Sequence, residues 1–307
     1  MRIAHFSDLH LLSLAGVSPL RFLNKRLTGW ANLRLKRKSI HRAAYVRAIA
    51  REVTRHGVDH VVITGDLTNL ALESEFALVR EVLESDLGVA PSEVTIVPGN
   101  HDVYTRGASS SRRFERFLAP YLRSDLPDLA VDTPAGRFPV VKLRGKAAIV
   151  GLSSAVPRPP FVAAGEIGPS QLDALTRILD RPELAGRTIV LALHHPPRNE
   201  WSPHKLYLEG LRDAEALLVC LRSMPRGLIL HGHLHRRVQR VLPGPSDRWE
   251  QLGATSASLH HHEPDRMAAF NVYDLDDPTG FRLARAQAHV YSPATESFRP
   301  DSLPRHV

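Results

Sequence analysis

Short apolar runs and longer periodic segments alternate along most of the chain. Runs rich in β-branched residues and bounded by glycine or proline predict buried strands. The predicted strands lie at about 3–6, 59–64, 94–97, 138–143, 146–152, 189–193 and 228–230. Apolar positions three and four residues apart predict helices. The predicted helices lie at about 41–56, 73–86, 110–123, 169–179 and 211–222.

The pattern changes after residue 235, where strands follow one another without intervening helices. These strands are predicted at about 238–242, 249–252, 268–275 and 281–289. Strand–helix alternation followed by a strand-rich end predicts an α/β fold, a four-layer αββα sandwich of two mixed sheets flanked by helices. We expect one domain over residues 1–291 and a flexible tail over 292–307. The oligomeric state stays open, because the last strands could form a dimer edge or close the second sheet.

The composition is that of an ordinary globular protein, with 43% hydrophobic and 23% charged residues among 307. A single cysteine excludes a disulfide within the chain and suits a reducing compartment. No apolar run approaches the roughly 20 residues of a membrane span, and Asp8 and His10 interrupt the first apolar stretch, unlike a signal peptide. We therefore expect a cytoplasmic protein.

The positive charge is concentrated in one segment. The formal net charge is +8, and no acidic residue lies between Asp8 and Glu52. Ten cations lie in that interval: Arg21, Lys25, Arg26, Arg34, Lys36, Arg37, Lys38, Arg42, Arg47 and Arg51. Within residues 18–38, apolar residues recur at helical spacing around Trp30. The sequence therefore predicts an inserted basic amphipathic helical segment.

Residues 18–38 fit more than one role. A basic amphipathic helix can lie at the inner face of a membrane or bind an anionic ligand. It can equally pack its apolar stripe on the domain as a cap and leave its basic face in water. Nucleic acid ranks last as a partner, because aromatic residues are sparse and no nucleic-acid-binding module is recognisable.

Five short polar motifs each follow a predicted strand. They are Asp8-Leu9-His10, Gly65-Asp66-Leu67-Thr68-Asn69, Gly99-Asn100-His101-Asp102, His194-His195-Pro196 and Gly232-His233-Leu234-His235. Side chains at the ends of neighbouring strands converge at one edge of an open α/β sheet, where such sheets place their chemistry. The motifs therefore predict one shared site.

The donor atoms in these motifs are suited to two divalent metal ions. The candidate ligands are two carboxylates, one amide and four imidazoles: Asp8, Asp66, Asn100, His10, His194, His233 and His235. Two ions roughly 3.5–4 Å apart can activate a water and stabilise both oxygens in phosphoester cleavage. Such ligands suit Mn, Fe and Zn alike, so the sequence leaves the metal open.

In order, these motifs resemble those of the calcineurin-like metallophosphoesterase superfamily over residues 3–235. One motif alone would be weak, but five in order after predicted strands are specific. The spelling at 99–102 and 194–197 is similar to the class III cyclic-nucleotide phosphodiesterase and glycerophosphodiesterase branch. The resemblance implies a hydrolase with a binuclear metal centre, acting through a hydroxide that bridges two metals.

The resemblance also implies a role for each residue. The first ion would be held by Asp8, His10, Asp66 and His235, and the second by Asp66, Asn100, His194 and His233. Asp66 would bridge the two ions. His101 would contact the phosphate and protonate the leaving oxygen, and Asp102 would orient His101.

Two assignments in the motifs stay open. His194 is favoured over His195 as a metal ligand, because the family ligand is followed by one residue and then proline. His195 is the alternative ligand or, failing that, a substrate contact. Asn69 either binds at the site, as a substrate contact, or caps the helix that follows it.

Three functions fit the sequence. The first is hydrolysis of a small phosphodiester, such as a cyclic nucleotide or a glycerophosphodiester. The second is cleavage of a lipid-linked phosphate or pyrophosphate at a membrane surface, as in the UDP-diacylglucosamine hydrolases of the same superfamily, which residues 18–38 would support. The third is a non-catalytic scaffold with the same fold, which the complete set of site residues argues against.

Overall fold

A computed structural model of the chain describes residues 1–18, 41–224, 226–242, 249–275 and 283–306. The predicted basic amphipathic segment at 18–38 lies outside these residues, apart from residue 18. Its helical structure and its role therefore stay predictions. Within the described residues the chain forms fifteen strands and seven α-helices.

The elements follow each other as strands and helices in the first two thirds of the chain and as strands alone at its end. The strands are β1 (Arg2–Phe6), β2 (His60–Ile63), β3 (Val94–Ile96), β4 (Val131–Thr133), β5 (Gly136–Phe138), β6 (Val140–Arg144), β7 (Ala147–Gly151), β8 (Thr188–Ala192), β9 (Gly227–His231), β10 (Val238–Leu242), β11 (Trp249–Gly253), β12 (Ala269–Leu275), β13 (Leu283–Ser292), β14 (Ser297–Asp301) and β15 (Arg305–His306). The helices are α1 (Ala43–Thr54), α2 (Glu73–Ser85), α3 (Arg106–Ser110), α4 (Arg113–Leu118), α5 (Pro169–Leu179), α6 (Pro203–Glu209) and α7 (Ala214–Cys220). None of these helices is long and apolar enough to cross a membrane.

Two large mixed sheets form the centre of the molecule. The first has the strand order β14-β13-β12-β1-β2-β3, with β1, β2 and β3 parallel and β12 antiparallel to β1. The second has the order β15-β10-β11-β9-β8-β7-β6, with β11, β9, β8 and β7 parallel. Strands β4 and β5 pair with each other as a small separate hairpin.

Strands β8 and β9 at the centre of the second sheet are buried on both faces. Successive side chains of a strand point to opposite sides, so the two faces contribute to different cores. In β8, Ile189 and Leu191 belong to the core formed with α5 and α7. Val190 and Ala192 belong to the core shared with the first sheet and with α1 and α2. The order of layers is therefore helix, sheet, sheet, helix, and the predicted αββα sandwich is confirmed.

The helix predicted over 110–123 is observed over residues 113–122, as α4 followed by a 3₁₀ helix over Ala119–Leu122, but it begins at Arg113 instead of residue 110. A separate helix, α3, precedes it, and between the two Arg112 adopts the left-handed region with φ 47°. The Arg112 guanidinium pairs with Glu115 and, at 3.1 Å, with Asp132 of β4. The turn at Arg112 is therefore stabilised by the β4–β5 hairpin. The periodicity of the local sequence does not reveal this contact.

The flexible tail predicted over 292–307 is also wrong for the residues described there. β13 runs to Ser292, β14 pairs antiparallel with β13, and β15 pairs parallel with β10. Arg237, only 2% exposed, donates to Asp301 Oδ2 at 2.8 Å and to the Pro264 carbonyl oxygen at 3.0 Å. A buried cation needs such partners, and residues 297–306 supply one of them while adding a strand to each sheet.

Candidate metal centre

The turns after five parallel strands carry all the predicted metal ligands. In the first sheet, Asp8 and His10 follow β1, Asp66 follows β2, and Asn100 follows β3. In the second sheet, His194 follows β8, and His233 and His235 follow β9. The ligand atoms of Asp8, Asp66 and His194 lie within 4.8 Å of one another. The two sheets therefore bring their motifs to one place.

Four donor atoms are arranged as ligands of one ion would be. His235 Nε2 lies 3.0 Å from Asp8 Oδ1 and 3.1 Å from His10 Nε2. His10 Nε2 lies 3.9 Å from Asp8 Oδ1 and 4.0 Å from Asp66 Oδ2. Two ligands with bonds of about 2.1 Å to a common ion lie between about 3 Å and about 4.2 Å apart, according to the angle between the bonds. These residues fit a divalent ion.

Asp66 Oδ2 is shared between this group and a second one. It lies 3.4 Å from His194 Nε2, while Asp66 Oδ1 accepts the His101 N–H at 2.8 Å. His194 is held by its other nitrogen, since Nδ1 lies 2.7 Å from the Thr64 carbonyl oxygen and can only donate to it. Such a bond fixes the tautomer of a metal-binding imidazole. The position of Oδ2 suits a bridging ligand.

Several donor atoms of the predicted ligands are buried without a hydrogen bond. Among the described residues, Asn100 Oδ1 has no hydrogen-bond partner, and Asp8 Oδ1 and His194 Nε2 have only the contacts with other predicted ligands given above. A buried polar atom without a partner is costly, so native structures rarely leave one unexplained. Metal ions bound at these atoms would remove the cost.

His195 lies beside two predicted ligands but is hydrogen-bonded through both of its nitrogens. Its Nδ1 lies 2.8 Å from Ser154 Oγ and its Nε2 lies 2.8 Å from the Ala163 carbonyl oxygen. Both nitrogens are therefore used by the protein, and the side chain is fully buried. One His195 nitrogen also lies within 4.8 Å of ligand atoms of His194 and His233. The interpretation of His195 as a substrate contact or alternative ligand therefore stays a prediction, which its two hydrogen bonds disfavour.

The ligands are presented by strained backbone. Asp8, His10, Asp66, His233 and His235 all have positive φ, from 43° to 68°. A non-glycine residue in this region costs of order 1–3 kcal/mol and persists only where the surroundings enforce it. Here the turns after β1 and β2 enforce it on each other, as Asp8 N–H donates to Gly65 O and His10 N–H to Asp66 O, both at 2.9 Å.

Close packing explains two of the motif glycines. Gly65 has φ 90°, and a Cβ at this position would lie 2.9 Å from His194 Nδ1. A Cβ on Gly232 would overlap both Ser7 Oγ and the Asp8 carboxylate. Glycine is needed where the backbone approaches another group so closely. Gly65 and Gly232 therefore allow the turns that carry the ligands to pack against each other.

The electrostatics of the site favour the ligand forms of Asp66, His10 and His233, whereas His194 holds a proton at neutral pH that a metal ion would have to displace. Burial lowers the pKa of His233 to about 3 and holds the pKa of His10 well below its usual value. Burial also acts to lower the pKa of His194, but the Asp66 and Asp8 carboxylates outweigh it and raise that pKa to about 9. Burial acts to raise the pKa of Asp66, but His194 and other imidazoles hold it well below its usual value. Ionised carboxylates and neutral imidazoles are what a metal ion requires.

His101 and Asp102, both predicted to be catalytic, have different surroundings. His101 lies beside the first group of ligands, with its ring centroid 5.1 Å from that of His10. Its Nδ1 is bound to the Asn69 carbonyl oxygen at 2.7 Å, not to Asp102. His101 therefore lies beside the first group of ligands with its Nδ1 fixed, and its contact with a phosphate stays a prediction.

Asp102 points beneath the site. Its carboxylate accepts hydrogen bonds from the N–H groups of Gly99, Leu67 and Thr68 and from the Thr68 hydroxyl, at 2.9 to 3.2 Å. Burial and the Asp66 charge raise the pKa of Asp102 to about 7. The predicted role of orienting His101 is therefore wrong. Asp102 instead joins the turns that carry Asp66 and Asn100.

Asn69 also lies beneath the site. It is 1% exposed, and its amide nitrogen donates to the His10 carbonyl oxygen. Helix α2 begins four residues later, at Glu73, and its N-cap residue is Leu72, so the predicted helix cap by Asn69 is wrong. Asn69 instead hydrogen-bonds at the site and supports the first ligand turn. Its contact with a substrate stays a prediction.

Three side chains near the ligands were not predicted. The His41 ring lies 4.7 Å from that of His10, the Tyr104 ring stacks on His101 at 5.4 Å, and the Trp201 ring lies 6.0 Å from that of His233. None belongs to a motif. Only Tyr104, two residues after Asp102, was close enough in sequence to have been suspected.

Comparison with known proteins agrees with this arrangement. Residues 1–237 match the family model described as calcineurin-like phosphoesterase. A protein of Rhodococcus erythropolis strain PR4, named probable cyclic nucleotide phosphodiesterase, is 32% identical over 186 residues, covering 61% of this chain and 54% of that one. A Synechococcus protein with the same description is 33% identical over 100 residues, covering 32% of this chain and 37% of that one. The chain thus spans about half, or less, of these relatives.

Solved structures share the fold at low sequence identity. A dimetal phosphatase from Danio rerio superposes with a TM-score of 0.54 at 16% identity, covering 94% of this chain and 95% of that one. A purple acid phosphatase from yellow lupin seeds gives a TM-score of 0.56 at 11% identity, covering 99% of this chain and 54% of that one. The family match, which extends through all five motifs, has the stronger implication: the chain belongs to the calcineurin-like phosphoesterase family.

Proposed function

We propose that the protein is a metal-dependent phosphodiesterase that hydrolyses a small phosphodiester, such as a cyclic nucleotide or a glycerophosphodiester. The observation that carries the proposal is the position of Asp66 Oδ2, 4.0 Å from His10 Nε2 and 3.4 Å from His194 Nε2. One carboxylate oxygen serves two groups of donors, as a binuclear centre of Mn, Fe or Zn requires. The names of the two curated relatives support a cyclic phosphodiester as substrate.

Each predicted site residue has a role in the proposed reaction. When bound, two divalent ions activate a water and stabilise the attacking and leaving oxygens of a phosphoester. Asp8, His10, Asp66 and His235 hold the first ion, and Asp66, Asn100, His194 and His233 the second. His101 contacts the phosphate and protonates the leaving oxygen. Because the Asn69 carbonyl oxygen fixes Nδ1 of His101, we assign the proton transfer to Nε2.

A second candidate function keeps this centre and changes the substrate. The described chain stops at residue 18 and resumes at His41, whose ring lies 4.7 Å from that of a predicted ligand, His10. The described chain that follows the basic residues therefore begins beside the predicted centre. A lipid-linked phosphate or pyrophosphate at a membrane surface is the substrate that a basic amphipathic segment at this place would favour. The scaffold function is disfavoured, since no predicted ligand is missing.

The test compares two chromogenic substrates, bis-p-nitrophenyl phosphate and p-nitrophenyl phosphate, with Mn²⁺ added. Wild type should cleave the diester, and Asp66→Ala should lose at least about a hundredfold of that activity, because both ions lose a ligand. The matched control is Asp132→Ala, whose carboxylate is 77% exposed on the β4–β5 hairpin. That variant should retain full activity.

The outcomes separate the candidates. Diesterase activity that depends on Asp66 supports the first function, and cyclic nucleotides and glycerophosphodiesters are then the substrates to compare. Wild-type protein that binds two ions but cleaves neither compound contradicts the small-diester proposal. In that case, deletion of residues 19–38 should abolish binding to anionic liposomes if the lipid-linked substrate is correct.

A further inference from the structure

His41 lies among the ligands of the first ion, although it belongs to none of the five motifs. Its ring centroid is 4.7 Å from that of His10 and 5.9 Å from that of His235. One nitrogen from each of these three rings lies within 4.8 Å of the other two. The His41 backbone is fixed there by a bridge to Leu259 and by the Arg42 N–H, which donates to the Ser258 carbonyl oxygen at 2.8 Å.

The hydrogen bonding of His41 is that of a metal-binding imidazole. His41 Nδ1 lies 2.7 Å from Ser258 Oγ. Ser258 Oγ in turn lies 3.4 Å from the Asp8 carbonyl oxygen, to which it donates, so it is placed to accept from Nδ1–H. An imidazole that ligates a metal through one nitrogen usually donates from the other to a fixed acceptor.

Two predicted ligands show the same arrangement. His194 donates from Nδ1 to the Thr64 carbonyl oxygen at 2.7 Å, and His233 donates from Nε2 to the Glu209 carbonyl oxygen at 2.8 Å. In His194 the second nitrogen, Nε2, is the one turned to the centre, 3.4 Å from Asp66 Oδ2. The bond to Ser258 likewise assigns Nε2 of His41 to the centre.

We infer that His41 is an additional protein ligand of the first metal ion, with Nε2 as the donor atom. The inference rests on the proposed binuclear centre. The motifs give the first ion four protein donors, from Asp8, His10, Asp66 and His235. Divalent ions of this type readily accept a fifth ligand. His41 would occupy a position that is otherwise left to water.

The experiment measures metal binding directly in the full-length protein. His41→Phe keeps a ring of similar size but removes both nitrogens. Mn²⁺ titration by calorimetry should show two ions bound in wild type. In His41→Phe, the affinity for one ion should fall at least about tenfold, a loss typical of a weakened metal shell, and the affinity for the other should not change. The visible absorption of the Co²⁺-loaded protein should also change, because it reports the ligands of the ion.

His260→Phe is the matched control. His260 is a nearby histidine whose Nδ1 is bound to the Tyr45 hydroxyl at 3.0 Å, outside the group of ligands. It should bind both ions with wild-type affinity. Far-UV circular dichroism of the metal-free variants checks that they fold, and His41→Gln supplies a second test, because its amide can still bind Ser258 and should give an intermediate affinity.

Each outcome of these titrations supports or overturns the assignment of His41 as a metal ligand. If His41→Phe and His41→Gln bind two ions with wild-type affinity and an unchanged Co²⁺ spectrum, His41 is not a ligand, even if KM rises. That result would overturn this inference and leave the binuclear centre intact. If wild type itself binds no ion, the proposed function fails first and His41 has no ion to bind.

Discussion

At the scale of single residues, the site depends on close packing between its side chains and the backbone of the ligand turns. Gly232 is one such position, because an added Cβ would overlap Ser7 Oγ and the Asp8 carboxylate. We expect Gly232→Ala to lower the free energy of unfolding by about 1–3 kcal/mol, the usual cost of overpacking. It should also weaken Mn²⁺ binding, because Asp8 must shift. Urea unfolding and calorimetry measure the two effects.

Gly107 provides the matched control for this substitution. It lies in α3, and a Cβ added there meets no atom within 4 Å. Gly107→Ala should be neutral or slightly stabilising, since alanine is the better helix former. Equal destabilisation by both substitutions would contradict the close approach described for Gly232.

Asp102 and His101 are neighbours that should respond differently to substitution. At pH 8, above the Asp102 pKa of about 7, the Asp102 carboxylate accepts four hydrogen bonds. Asp102→Asn replaces it by an amide, in which one oxygen accepts and the nitrogen only donates. We expect it to cost about 1.5–3 kcal/mol of unfolding free energy. His101→Ala should leave stability almost unchanged but lower kcat about 10²- to 10⁴-fold, as expected for a lost proton donor. Denaturant unfolding and diesterase kinetics on both variants provide the comparison.

These residues also show what the motifs could and could not predict. The donor atoms around Asp66 were predictable because ligand chemistry restricts residue type and the motifs give the order. The directions of Asn69, Asp102 and His195 were not, because they depend on how the turns contact each other across the two sheets. The left-handed backbone of Asp8 and His10 is likewise imposed by contacts with the turn after β2.

At the scale of elements, helix α2 begins with an unusual buried carboxylate. Glu75 Oε2 accepts from the backbone N–H groups of Leu70 and Leu72, at 2.9 and 3.0 Å. Burial raises the pKa of Glu75 from 4.5 to about 8, although these bonds act against it. Between these two pH values the folded chain binds a proton that the unfolded chain releases. Stability should therefore fall as the pH rises from about 4.5 to about 8.

The substitution Glu75→Gln tests this pH dependence. The amide oxygen can still accept from the two N–H groups, but no charge forms at high pH. We expect the variant to lose a slope of up to about 1.4 kcal/mol per pH unit and to be more stable than wild type at pH 9. Chemical unfolding at pH 5, 7 and 9 measures the slope. Glu84→Gln, on the exposed side of the same helix, should leave it unchanged.

The elements differ in how well sequence predicted them. The strands before the ligand motifs are buried on both faces, so continuous β-branched runs identify them. Helix α5 begins at Pro169 as expected, because proline is tolerated in the first turn. The turn at Arg112 was missed because it depends on a contact with the β4–β5 hairpin. The strands β14 and β15 were missed because they depend on pairing with strands β13 and β10.

At the scale of the whole molecule, the metal centre joins the two sheets. Asp8, Asp66 and Asn100 come from the first sheet, and His194, His233 and His235 come from the second. An ion bound by both sheets binds only the folded chain. We expect Mn²⁺ at a hundred times its Kd to add about 2.7 kcal/mol of stability per site. Thermal unfolding with Mn²⁺ and with EDTA measures this, and Tm should rise by several degrees with metal.

Asp66→Ala should lose this dependence on metal, because the shared ligand is gone. Asp132→Ala should keep it. A wild-type Tm that is the same in Mn²⁺ and in EDTA would contradict a centre that spans the sheets.

The pairing of β1 with β12 has a consequence for how the protein is made. Asp8 lies near the start of the chain, yet its turn is completed by Ser256, whose hydroxyl donates to the Asp8 carbonyl oxygen at 2.6 Å, and by Ala257 N–H, which donates to the Ser7 carbonyl oxygen at 2.8 Å. On the ribosome, all five motifs are synthesised before these residues leave the exit tunnel. The first ligand turn can therefore be completed only after residues 256 and 257 are synthesised, and a ribosome stalled shortly after His235 would carry every predicted ligand without a completed centre.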